Sequence, residues 1–349
     1  MTAEVAKPAG GSARAPLPVG ARLRAIALRP EMTALVSTIA VFLFFALTAG
    51  DAGFLTLVGT RNYLQVAAMI GIVGTPVSLL LVAGEFDLSV GTMIGAAGIV
   101  VAYPVVNLGW PLWAAVLAGL GFAGIVGAFN GILVTRLTIP SFLITLGTMF
   151  VLRGLGLAVS LVVAGTTQIY GLKGKLAGDW LYNTLVGTVF GMPVALFWWL
   201  GLGLLGAYML ERTRFGNWIL ASGGDPDAAA KMGVPVHRVK IILFMLTSMS
   251  AVLVAMLNMF YVDLADVGQG LGKEFEAITA AVVGGTAITG GLGSPIGTAI
   301  GALMFGMINQ GFFYTDINDS WFYAVVGGML LIAVVINTLS RRAALRSRR

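Results

Sequence analysis

No cysteine occurs among the 349 residues, so neither a disulfide nor a thiolate metal site can form, and the redox compartment cannot be read. Charge is nearly as scarce: Asp, Glu, Lys and Arg make up 10% of the chain, where a soluble domain averages about a quarter. So few charges cannot cover a water-exposed surface of this size, which excludes an ordinary soluble globule. A single histidine, His237, sits in a basic stretch without co-ligands, so metal and histidine catalysis lack partners. No G-x-x-x-x-G-K-[ST] string is present, which removes the phosphate cradle of a nucleotide hydrolase. No constellation for nucleophilic or acid–base chemistry appears either, so no catalytic residue and no metal ligand is expected.

What is present is apolar. Hydrophobic residues make up 58% of the chain and the mean hydropathy is +0.94, the composition of a membrane protein. The 48 glycines suit helices packed closely in lipid. A net charge of +6 would suggest nucleic acid in a soluble protein, but here the basic residues flank apolar runs, and no nucleic-acid partner is expected.

Uncharged stretches run over 32–50, 62–84, 88–135, 180–210, 241–262, 277–315 and 320–340, each long enough for the roughly 20 helical residues a crossing needs. The 88–135 stretch is interrupted by Pro104, Asn107, Gly109 and Pro111 and reads as two crossings; 277–315 breaks at GGTAITGGLGSP, residues 284–295, and reads as two more. A further segment, 139–163, contains Arg153. An arginine near mid-bilayer costs roughly 2.5 to 3.5 kcal/mol, but 14 Leu, Ile, Val or Phe residues in the same segment outweigh it. The expected fold is therefore all-α, a polytopic transmembrane helical bundle of about ten spans over residues 32–340. Arg153 should face the bundle interior, since hydrocarbon gives its charge no partner.

Of the 21 Lys and Arg residues, 16 fall on one side of this arrangement and only Arg61, Lys173, Lys175 and Lys273 on the other. The bias predicts both termini in the cytoplasm. Residues 1–31, rich in Ala, Pro, Gly and Arg, read as an uncleaved cytoplasmic tail, and 341–349 as a basic cytoplasmic tail. Trp180, Tyr182, Trp321 and Phe322 read as anchors at the outer membrane interface.

The one long cytoplasmic loop, 211–240, carries a short helix with clear punctuation. Asp225 can cap it, Pro226 fits its first position, and Gly233 followed by Pro235 ends it. Such a helix is too short to be stable alone in water and should dock against something. In GEFDLSVG, residues 84–91, Asp87 with Ser89 and Gly91 can cap the third span, placing Asp87 at the cytoplasmic membrane edge. Gly297 and Gly301 form a G-x-x-x-G packing pair. Polar residues within spans, Gln65, Asn130, Thr145, Asn258, Asn309 and Gln310, can either line a path for a hydroxyl-rich solute or join helices to one another.

Four ordered blocks carry a family resemblance. GEFDLSVG resembles the G-G-x-D-L-S-V-G block of ribose-type inner-membrane permeases of ATP-binding-cassette sugar importers, with Glu85 and Phe86 standing where the family has glycine and a small aliphatic residue. IPSFLITLGTMFVLRGL, residues 139–155, resembles its P-x-F-I-x-T-L-G-T-x-x-x-x-R-G-L block, which includes Arg153. GNWILASGGDPDAAAKMGVPVHRVK, residues 216–240, resembles its coupling-helix block, and the stretch from Glu274 to Gly311 resembles its Gly-rich block. Branched-chain amino-acid permeases share the plan but usually lack D-L-S-V-G, so sugar is favoured.

The resemblance implies a multi-pass permease of the bacterial inner membrane that forms the translocation path for a monosaccharide or polyol. It implies a cytoplasmic ATPase subunit docking on Gly224, Asp225, Asp227, Ala228, Ala229 and Gly233, a periplasmic sugar-binding protein, and a second permease copy. It makes Asp87, Ser89 and Arg153 candidates for gating. No cofactor is expected in this chain; ATP and magnesium belong to the partner ATPase. The alternatives are a branched-chain amino-acid permease, an ion-driven secondary transporter, which should carry buried charge relays, and a membrane-embedded enzyme.

Overall fold

The computed structural model describes residues 30–137, 139–315, 318 and 321–346. The expected tail at 1–31 lies outside these apart from its last two residues, and of the tail at 341–349 only 341–346 are described, as the end of a helix. In chain order the elements are α1 (Pro30–Ala49), α2 (Leu57–Val82), α3 (Ser89–Leu108), α4 (Leu112–Leu137) and α5 (Ser141–Ala164). Then come β1 (Gln168–Tyr170), α6 (Leu172–Lys175), α7 (Trp180–Leu185), β2 (Thr188–Val189), β3 (Met192–Pro193) and α8 (Val194–Arg212). The rest is α9 (Arg214–Gly224), α10 (Pro226–Lys231), α11 (Val236–Val262), β4 (Leu264–Asp266), α12 (Lys273–Val283), α13 (Pro295–Phe313) and α14 (Trp321–Arg346).

Among the described residues, eight helices are long and apolar enough to cross a membrane: α1, with the π turn that follows it, α2, α3, α4, α5, α8, α11 and α13. The protein is thus an all-α, multi-pass bundle. Leu108 to Leu112 splits 88–135 where the turn residues predicted. Two expectations change. The crossing read from Trp180 begins only at Val194, because Asp179 caps a separate short helix there by accepting from the Leu181 and Tyr182 amides. The segment before the glycine-rich break, read as a full crossing, is α12, whose 11 residues cover about 16 Å of a core roughly 30 Å thick.

Helices close on one another through small residues. A Cβ built on Gly127 of α4 would lie 2.5 Å from the Phe244 carbonyl oxygen of α11, and one on Gly301 of α13 2.2 Å from the Ala280 carbonyl of α12. Gly297 approaches Gly284 in the same way, so both members of the G-x-x-x-G pair face α12. A second, smaller core lies where α2, α4, α8 and α11 converge, and Ile219 of α9 is fully buried in it. With Phe215 and Leu220 packed against the same core, it anchors the amphipathic α9 to the bundle.

Two breaks in the helical backbone run inward from opposite ends. Residues 83–88, between α2 and α3, start beside α9, while 263–272, between α11 and α12, start at the other end, where β4 pairs antiparallel with β1. They meet inside: a Cβ on Gly91 would lie 2.7 Å from the Gly270 carbonyl oxygen and overlap the Glu274 carboxylate. Because α3 runs alongside α11, with Asp87 reaching Thr247 and Gly98 facing Ala255, α2 and α11 run in opposite directions. The two breaks therefore enter the bundle from opposite ends, each following a helix that runs opposite to the other.

Candidate functional site

At the first end, α9 and α10 build a rigid projection from local signals. Thr213 caps α9 by accepting from the Gly216 amide at 3.1 Å, and Asp225 caps α10 by accepting from the Ala228 amide at 2.9 Å, with Pro226 at the first helical position. Gly233, at φ +85°, donates to the Ala230 carbonyl while Val234 donates to Ala229. These two bonds close the helix as a Schellman motif, which requires a left-handed residue at that point. Of α10 only Ala229 is buried; Gly224, Asp225, Asp227, Ala228 and Gly233 are exposed, and Met232 is 85% exposed. Met232 was absent from the expected docking residues, although its place between the helix end and Gly233 marks it as a projecting apolar tip.

The projection is keyed to the first break. Gly223 at the end of α9 lies so close to α2 that a Cβ would collide with the Val82 carbonyl, and the Gly291 amide donates to that same carbonyl at 2.8 Å. Gly84 and Gly290 complete this backbone-to-backbone junction of three chain segments. Glu85 forms an ion pair with Lys240 at the start of α11, both side chains 12% exposed.

Below the junction lies a closed polar network. Asp87 accepts from the Ser89 amide at 2.9 Å, the Ser89 hydroxyl at 2.6 Å and the Thr247 hydroxyl at 2.7 Å. Asn130 donates to Ser89 at 3.0 Å and accepts from Thr148 at 2.7 Å, while the Leu88 amide donates to Thr145. Asp87 is fully buried, because 83–88 dips inward to bring its carboxylate against Thr247 of α11. Asn130 and Thr145, candidates for the path, are likewise fully buried and engaged here.

Arg153, expected to face the bundle interior, is exposed on α5 in the single chain. Its charge acts on Glu274, which is 4% exposed and whose Oε2 has no hydrogen-bond partner. α5 is the least buried of the crossings, so Arg153 stays exposed even though its charge reaches Glu274.

At the opposite end, a cleft of about 420 Å³ is lined by Arg61, Asn62, Lys173, Tyr182 and Asp263, among others. Burial, with Asp263 adding to it, pushes the Tyr182 phenol above its usual range, so it stays neutral at physiological pH. Tyr182 packs edge-on against Phe260 and Phe322 is also buried, whereas Trp180 and Trp321 are exposed as interfacial residues should be. The cleft shares Gln65, Tyr261 and Val262 with an inner cavity of about 280 Å³, which Asn258, Gln269 and Lys273 also line. A third cavity of about 310 Å³ holds Asn309 and Gln310 and meets the second at Lys273. Sequence reasoning found Gln65, Asn258, Asn309 and Gln310 but missed Gln269 and Lys273; the glycines at 268, 270 and 272 were the available signal of non-helical backbone.

Comparison with known proteins agrees with this arrangement. A family described as "Branched-chain amino acid transport system / permease component" matches residues 59–334. The chain is 31% identical to the ribose import permease protein RbsC of Escherichia coli strain K12, over 86% of this chain and 92% of that protein. It is 29% identical to the xylose transport system permease protein XylH of the same strain, over 88% and 91%. The XylH of Haemophilus influenzae is also 29% identical, over 87% and 95%. No solved structure matches the chain. These relatives are transport components and not enzymes.

Proposed function

We propose, since the chain belongs to the branched-chain amino acid transport system permease component family, that it is the membrane-spanning permease of an ATP-driven importer for a monosaccharide or related polyol. The observation that carries the coupling is the capped, exposed α10 with Met232 at its tip, joined through Gly223 to the break that holds Asp87. An ATPase subunit gripping α10 moves α9, and α9 bears directly on Val82 and the residues that follow. This end is the cytoplasmic one, in keeping with the concentration of Lys and Arg there. ATP and magnesium are held by that partner.

Xylose and ribose, named in the relatives, set the substrate class, and D-L-S-V-G at residues 87–91 sets it apart from branched-chain amino acids. A soluble sugar-binding protein delivers the solute to the cleft around Arg61 and Lys173. Arg153 on the outer face of α5 needs a cover other than hydrocarbon, and a second permease copy supplies it. The inner membrane is the location this assembly requires.

The test is reconstitution with a matched ATPase and binding protein in proteoliposomes. ATP-dependent uptake of xylose or ribose is expected, and leucine uptake in its place moves the substrate to the amino-acid branch. Active uptake by the chain without any ATPase overturns the reading.

A further inference from the structure

Between α7 and α8 the chain makes a tight hairpin. β2 pairs with β3, Val189 opposite Met192, which leaves Phe190 and Gly191 as the turn, at φ +50° and +76°. Left-handed backbone at both central positions is type I′ geometry, which favours Asn, Asp or Gly at the first. A phenylalanine there crowds its Cβ against its own carbonyl, and its ring finds no compensating burial, being 94% exposed. The backbone beneath it is firmly held: the Val194 amide donates to the Gly187 carbonyl at 3.2 Å, and Arg61 Nε of α2 donates to the Gly191 carbonyl at 2.5 Å. A fixed turn that presents a strained, exposed aromatic is unfavourable for the chain alone, and such outliers gather where function uses them.

Position decides what the ring meets. α8 begins at Val194, and its 19 residues cover about 28 Å, nearly the whole hydrocarbon thickness of roughly 30 Å. Trp198, half-exposed one turn inside α8, stands where an interfacial aromatic belongs, so the hairpin lies beyond it on the aqueous side. Gly187, Thr188 and Pro193 at its base line the outer cleft together with Arg61 and Lys173, which sets Phe190 at the rim of that cleft. The nearby carboxylates are engaged: Asp179 accepts from the Leu181 and Tyr182 amides, and Asp263 from the Lys173 amide at 2.8 Å. Lys173 and Lys175 are exposed and form no ion pair among the described residues. A rigid aromatic with charged residues around it is the make-up of a protein-docking hot spot and its polar rim. Resting on the permease reading above, we propose that the β2–β3 hairpin is the docking element for the soluble sugar-binding protein. Phe190 fills an apolar recess on that partner, and Lys173 and Lys175 meet carboxylates around it.

The test uses the whole transporter in lipid nanodiscs and the binding protein that supports its ATP-driven sugar uptake. Phe190→Gly suits the left-handed turn, so the melting temperature should hold or rise while affinity for the binding protein falls about thirtyfold, the loss of a hot spot. Lys173→Gln combined with Lys175→Gln should slow association several-fold and flatten its dependence on salt. Unchanged affinity in Phe190→Gly, or a loss of affinity matched by a fall in melting temperature, overturns the docking role and leaves the permease reading standing. So does quenching of Phe190→Trp by brominated lipid, beyond the parent's, before any binding protein is added, because it puts the ring in the membrane. An unchanged association rate in the lysine pair overturns their part. Failure of the parent to take up any sugar with ATPase and binding protein present overturns both readings.

Discussion

The two helix breaks enter the bundle from opposite ends and are finished in different ways. Around 83–88 the polar groups are paired: Asp87, Ser89, Asn130, Thr145, Thr148 and Thr247 form one connected network. Around 263–272 the pairing is incomplete: Gln269 Oε1, against Gly98, and Glu274 Oε2, against Gly91, are buried without partners. Satisfied buried networks rigidify, and unsatisfied ones mark places where something else belongs. The first break therefore reads as a braced strut beside α9, and the second as the less tightly paired of the two.

The comparison can be broken most severely at the strut. Asp87→Leu leaves the Ser89 amide and the Ser89 hydroxyl without an acceptor, while the Thr247 hydroxyl keeps the Phe244 carbonyl, and together the losses should cost about 3 kcal/mol. A large drop in the melting temperature of the detergent-purified chain is expected; a melting temperature equal to the parent's denies the strut.

A smaller effect is expected at the projection. Gly233→Val places a β-branched residue at φ +85°, costing about 1 to 3 kcal/mol locally, with open space around the new side chain. Membrane insertion should survive while ATP hydrolysis and uptake uncouple in reconstituted transporter. Uptake at the parental rate removes α10 from the docking surface.

The smallest effect on stability belongs to the second break, where Gln269→Leu removes one hydrogen bond, from Nε2 to the Leu264 carbonyl, together with an acceptor that already lacks a donor. A loss of about 1 kcal/mol or less is expected from the melting temperature. A loss as large as that of Asp87→Leu would mean that the two breaks are alike.

Much of the projection was legible in the linear chain because its signals are local. Asp225, Pro226 and Gly233 specify a start and a stop through bonds spanning two to five residues, and the structure uses all three. The turn at 108–111 was equally plain. The depth of Asp87 was not, since a capping aspartate looks the same at a membrane surface as inside a bundle, and only Thr247, 160 residues away, distinguishes them. Arg153 misled for a related reason: the cost of a charge in lipid says that it must be covered, not whether its own chain or a neighbour covers it.

Composition and hydropathy alone determined that this chain is a multi-pass helical bundle, because covering its surface with water was never open to a sequence so poor in charge. Short-range capping determined where its solvent-facing helix begins and ends. Which polar residues close on one another and which are left unpaired was decided only by tertiary structure, since that depends on how two breaks far apart in the chain are brought together at Gly91 and Gly270.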